Sequence, residues 1–179
     1  MFKKLRKPIC FILCTALSLS LAACSSADEK RESQAKTKSR TQTSIPLDKE
    51  EKELLEKVED DIHVVTDDTY IETMIELISH TSQFSGQLYQ MEGSYLSEGG
   101  VSYISRTLVN GNERSRLSLP LNYLNKSFLS GTWIKVTGIV SEGEVNGEQG
   151  TILEVLAVEA PSETGLEELP WDGSLEHQH

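Results

Sequence analysis

Val101 to Leu121 reads VSYISRTLVNGNERSRLSLPL. The first nine residues are rich in β-branched and aromatic side chains and read as a strand. Asn110-Gly111 then interrupts the run, and Asn-Gly between apolar segments is the strongest short-range signal for a hairpin. After it, RLSLPL alternates leucine with serine or proline, the period of a strand with one dry face. The unit is therefore two antiparallel strands.

The same pattern continues in both directions. Upstream, QLYQMEGSYL (87–96) is strand-like, and Gly99-Gly100 marks a turn. Downstream, NYLNKSFLSG (122–131) reads as a connection with room for one helical turn. TWIKVTGIV (132–140) puts Ile134, Val136, Gly138 and Val140 on one face. Asn146-Gly147 gives a second hairpin signal before TILEVLAVEA (151–160). Five strands result. Gly93 and Gly138 suit places where a strand bends sharply, and Pro120 suits a strand end or edge.

Two helices precede the strands. LDKEEKELLEKVEDD (47–61) carries Leu54, Leu55, Val58 and Ile62 at helical spacing, with Lys49/Glu53, Lys52/Glu56 and Glu53/Lys57 as i,i+4 pairs. Its narrow apolar stripe predicts a peripheral helix within 47–63. Thr66, Asp67 and Asp68 are competent caps, and Thr69 with Glu72 has capping-box spacing. Ile71, Met74, Ile75, Leu77 and Ile78 then predict a second helix ending near His80. The expected fold is mainly β with N-terminal helices (α+β). It is a five-stranded OB-like barrel plugged by the second helix, or alternatively an open five-stranded sheet packed by that helix.

The N-terminus decides location. MFKKLRKP supplies Lys3, Lys4, Arg6 and Lys7, and Ile9 to Ala23 is apolar but interrupted by Thr15, Ser18 and Ser20. A cationic start, a short apolar core and small residues at its end are the parts of a secretory signal. The run is short of the roughly 20 apolar residues a spanning helix needs. Leu21-Ala22-Ala23-Cys24 resembles a bacterial lipobox. That resemblance implies cleavage before Cys24 and acyl chains, palmitate among them, on its sulfur. Two or more chains anchor stably where one is marginal. Cys10 and Cys14 leave with the signal, so the mature chain has no thiol for a disulfide or a metal. The expected partition is a signal peptide at 1–23, the lipidated Cys24 with a disordered tether to 46, and the peripheral helix at 47–63. The OB-like domain at 64–162 and a flexible tail at 163–179 complete it.

Charge narrows the partners. From Leu47 onward, 8 basic residues face 25 acidic ones, a net of −17. Binding to a nucleic-acid backbone needs clustered Lys and Arg, so nucleic acid is excluded as a partner. The expected attachments are the membrane, through the lipid, and another envelope protein.

FSGQLYQMEGSYL (84–96), YISR (103–106), GTWIKVTGIV (131–140) and ILEVLAVEAP (152–161) carry a family resemblance. Together they resemble the exported, OB-like C-terminal domain of small uncharacterised permease-associated membrane proteins, of which lipoprotein versions exist. The match spans roughly Tyr70 to Pro161. It implies an extracytoplasmic accessory role beside a membrane transporter. In that family the second strand carries an arginine, here Arg106, followed by a cysteine pair. Those cysteine positions fall near Gly111 and Asn112, so any thiol chemistry does not carry over.

The candidate sites follow from residue chemistry. Arg106, Arg114 and Arg116 surround the Asn110-Gly111 hairpin, and three guanidiniums there would receive a carboxylate or phosphate bidentately. The competing reading is pairing with the domain's own Glu residues. Glu142, Glu144 and Glu148 crowd SEGEVNGEQG, and His177 and His179 end the chain. Either group offers a weak metal grip, giving metal-ion handling as the alternative function. His63 and His80 stand alone. No nucleophile elbow, zinc-protease helix or phosphate loop is present. The expectation is a binding protein, not an enzyme, without a cofactor.

Overall fold

The computed structural model describes residues 41–173. The expected signal peptide, the expected lipid site at Cys24, the expected tether up to 40, and His177 and His179 lie outside them.

The elements are α1 (Lys49–Val58), a 3-10 turn (Glu59–Asp61), β1 (Ile62–Val64), α2 (Tyr70–Ser79), α3 (Thr81–Phe84), β2 (Leu88–Glu98), β3 (Val101–Asn110), β4 (Glu113–Asn122), β5 (Trp133–Val145), β6 (Glu148–Glu159) and β7 (Glu168–Pro170). The strands form one sheet in the order β1-β2-β5-β6-β4-β3-β7, with β2 also paired to β3. The fold is thus mainly β with N-terminal helices. The five long strands run in a circuit, β2–β3–β4–β6–β5 and back to β2, but unevenly. β4 meets β6 in parallel at Leu121–Leu153 and Asn122–Glu154, whereas β5 and β6 pair along nearly their whole length. The result is a sheet-dominated fold and not an evenly closed barrel.

Turn chemistry sets the registers. The Asn146-Gly147 loop has both residues at positive φ (54° and 87°), the twist that joins strands in a two-residue hairpin. At the other predicted hairpin Asn110 pairs with Glu113, so the loop is Gly111-Asn112, one residue later than the Asn-Gly signal suggests. Two strand glycines sit where backbones approach closely. A Cβ on Gly93 would lie 2.8 Å from the Ser105 carbonyl oxygen, and one on Gly138 would lie 2.5 Å from that of Glu154. At Gly93 β2 changes partners: residues 94–98 pair with β3 and 88–94 with β5. At Gly138 the β5/β6 ladder slips, leaving Leu156 without an opposite residue.

The core lies between the strands and α2. Ile134, Val136 and Val140 are fully buried, as their shared face predicts, with Met91, Ile104, Leu119, Leu153 and Val158. On α2 the buried side chains are Tyr70, Met74 and Leu77. The apolar stripe is therefore rotated from the expected one, and Ile78 is exposed. The expected capping box at Thr69 does not form. Its hydroxyl oxygen instead accepts from the Thr66 N–H (3.1 Å), and Asp67 is engaged elsewhere.

Two boundaries differ from expectation. The tether ends earlier than 46, because Gln42 Nε2 donates to the Trp133 and Pro161 carbonyls and Ile45 pairs with Ala160. The tail is not free from 163, because β7 pairs with β3 at Thr107–Val109, the edge that β2 vacates at Gly93. α1 buries only Glu51, as a peripheral helix would, but it is firmly fastened. Asp48 and Glu51 form its capping box, and the Glu51 carboxylate is buried. It accepts from the Val158 N–H (3.1 Å) and from the Lys126 ammonium. Lys126 also donates to the Val158 and Pro46 carbonyls. One ion pair thereby joins α1, β6 and the β4–β5 connection.

Two stability changes follow, both readable by urea unfolding. Glu51→Ala leaves Lys126 half-satisfied and is expected to cost about 3 kcal/mol. Gly138→Ala forces the β5/β6 backbones apart and is expected to cost about 2 kcal/mol.

Candidate functional site

Arg106 occupies the centre of the domain's main polar arrangement. Strand alternation turns it inward: Ile104 and Leu108 share its face and are buried, and its own side chain is 1% exposed. A guanidinium so placed must be fully engaged. Its Nε donates to the Glu92 carbonyl oxygen (2.7 Å), and its Nη1 donates to Asp67 Oδ1 (2.5 Å). Its Cζ lies over the Tyr70 ring, 4.3 Å from the centroid, and over the Trp133 ring, 5.0 Å from the centroid, so two aromatic faces cover it. Trp133 Nε1 donates in turn to Glu92 Oε2 (3.1 Å).

Tyr70 is fully buried against this group, and its hydroxyl has no hydrogen-bond partner. Burial pushes its ionisation far above the ordinary tyrosine value, and the Arg106 charge only partly opposes this. The phenol therefore stays neutral and serves as an apolar face for the guanidinium.

Outside this network lies a pocket of about 240 Å³, lined by Thr66, Asp67, Gln90, Glu92, Arg106 and Lys135 among others. Both of its cations are paired with carboxylates of the domain. Asp67 spends its charge on Arg106, Lys135 pairs with Glu159 on β6 (3.8 Å), and the Glu92 carboxylate accepts from Trp133. The arrangement braces the fold and leaves no surplus positive charge to receive an anion.

The expected arginine trio does not assemble. Arg114 and Arg116 project from the opposite face, paired in register with Val109 and Thr107, and both are exposed. Arg114 Nε donates to Glu168 Oε1 (3.1 Å) and Arg116 Nη1 to Glu98 Oε1 (3.0 Å). All three arginines pair with the domain's own carboxylates, and two of the three pairs are solvated.

The acidic trio is also separated. Within 142–148 only Asn146-Gly147 form the turn, and the glutamates lie on the ends of β5 and β6. Glu142 and Glu144 lie on one face, opposite Thr151 and Gln149. Glu148 pairs with Val145 and so lies on the other. Among the described residues, no three His, Cys, Asp or Glu side chains converge where an ion could sit. His63 stacks on Tyr89 with ring centroids 5.1 Å apart, and His80 caps α2 through its backbone N–H to the Glu76 carbonyl.

The fold does leave large apolar side chains exposed: Val64 (62%), Tyr123 (70%) and Leu129 (84%). Tyr123 also holds a φ of 59°, costly for a bulky residue. Single exposed apolar residues are ordinary, but Val64 borders a groove of about 370 Å³ between α1 and β1.

Comparison with known proteins gave no matching family model and no matching curated protein.

The inside and outside arginines differ in what they should cost. Arg106→Lys keeps the charge but loses the Nε bond and the planar stack, and is expected to destabilise by about 3 kcal/mol. Arg114→Gln and Arg116→Gln are each expected to change stability by less than about 0.5 kcal/mol. Thermal and urea unfolding of the three variants check the contrast.

Proposed function

We propose that this protein is a lipid-anchored, extracytoplasmic binding module, an accessory to an envelope protein such as a membrane transporter. The observation that carries this reading is the lipobox-like Leu21-Ala22-Ala23-Cys24, placed upstream of a domain whose two buried ion pairs, at Arg106 and Glu51, brace its scaffold. A lipid anchor would hold the domain at a membrane surface, where the groove beside β1 could receive a partner.

We read the scaffold as OB-like. In support, the five long strands follow the circuit β2–β3–β4–β6–β5, the circuit closes through a parallel β4–β6 contact, and glycines occupy both sharp bends. Here α2 enters from the N-terminal side, and the segment joining β4 and β5 carries Lys126 in place of a helix. The likeness to permease-associated exported domains points the same way and suggests the class of partner.

The anchor is tested in cells grown with an alkyne analogue of palmitate. The wild-type chain should carry the label and sediment with membranes. Cys24→Ser should carry none and should appear in the soluble fraction. An unlabelled wild-type chain would end the lipoprotein reading. Cross-linking in intact cells should yield an adduct with an integral membrane protein, and its absence would end the accessory reading.

A further inference from the structure

We infer that the groove between α1 and β1 receives an extended, cationic segment of the partner protein, added as a strand to the free edge of β1. The inference rests on the binding-module reading above and names the chemistry of the partner.

The sheet ends at β1 among the described residues, and β1 pairs with β2 in parallel from Ile62–Leu88 to Val64–Gln90. Backbone groups in a strand point alternately to either side. The Val65 N–H is turned inward, since it donates to the Gln90 carbonyl (2.8 Å). The N–H and C=O of Val64 therefore point away from β2, toward solvent. Val64 is 62% exposed, so neither its side chain nor its edge is covered. An open edge of this kind is the template on which an extended peptide adds.

The groove supplies side-chain selectivity. Leu55 of α1 and Ile62 and Val64 of β1 form its apolar floor, and Glu56 and Glu59 stand at its rim against Lys52. Asp60 and Asp61 follow directly and are exposed. An added strand would place alternate side chains on the floor. Aliphatic residues suit Ile62 and Val64, and Lys or Arg beside them reach Glu56 and Glu59 while their stems cover Leu55. Charge complementarity excludes an acidic strand. It also argues against the anionic surface of a membrane, because the domain carries −17 from Leu47 onward.

The test uses the full chain in neutral detergent and three capped synthetic peptides. KVKVKVK can add as a strand, EVEVEVE has the wrong charge, and KVKPKVK lacks the central donor and cannot continue a ladder. Binding is read by isothermal titration. The expected result is binding of KVKVKVK alone, weakening about tenfold as salt rises from about 50 to about 300 mM. The double variant Glu56→Lys/Glu59→Lys should weaken it by a similar factor, with an unchanged circular-dichroism spectrum showing that it folds. Equal binding of KVKPKVK would overturn strand addition. Equal binding to the double variant, or no binding of KVKVKVK, would overturn the groove.

A photo-cross-linking residue at position 64, or separately at 107 on the outer face of β3, distinguishes this inference from the reading it rests on. An envelope-protein adduct from 64 supports the groove. An adduct from 107 alone leaves the accessory role standing and removes the groove.

Discussion

A guanidinium cannot be taken out of water unless its surroundings satisfy it from several sides, and Arg106 meets that condition with parts drawn from across the chain. The turn before α2 contributes Asp67, α2 itself contributes Tyr70, β2 contributes the Glu92 carbonyl, and β5 contributes Trp133. Each must be in place for the charge to be tolerated. One side chain therefore fixes where α2 begins and how it lies over the strands. The same requirement explains why Thr69 does not cap the helix as its spacing suggests: the turn is shaped to deliver Asp67.

Glu51 and Lys126 repeat the device on the other flank. A buried carboxylate takes the Val158 N–H and the Lys126 ammonium, so α1 and the β4–β5 connection are located together. Such pairs contribute little net stability beside an apolar replacement, since desolvation offsets most of the attraction. Their effect is directional. They penalise every arrangement in which α1 lies elsewhere, and α1 forms one wall of the groove beside β1.

Much of the sheet was legible because its signals are local. Alternation in 132–140, the glycine turns and the strand residues around 101–121 each report their own structure. Features that depend on residues far apart left weaker traces. Whether Arg106 faces inward cannot be read from an arginine between Ser105 and Thr107, since its place follows from the buried phase of Ile104 and Leu108. Asp48-x-x-Glu51 has capping-box spacing and was readable, but the burial of Glu51 depends on Lys126, 75 residues away. Lys126 itself lies between Leu124 and Phe128, both partly buried against the core, and that company hinted at an inward lysine. The acidic trio failed for a simple reason. A two-residue turn makes Glu142, Glu144 and Glu148 members of strands, and strand parity sends the third away from the first two.

The pairing of β7 with β3 bears on when the chain can fold. β2 leaves β3 at Gly93, and the vacated edge at Thr107–Val109 is filled by residues 168–170. Gln42 and Ile45, at the other end of the described chain, meet residues 160–162. Both closures wait for residues 160–170 to become available, and long-range strand pairing is slow even then. Until residues 168–170 arrive, β3 keeps an open edge at Thr107–Val109, and the ordering of the first residues of the domain waits on the same stretch of chain.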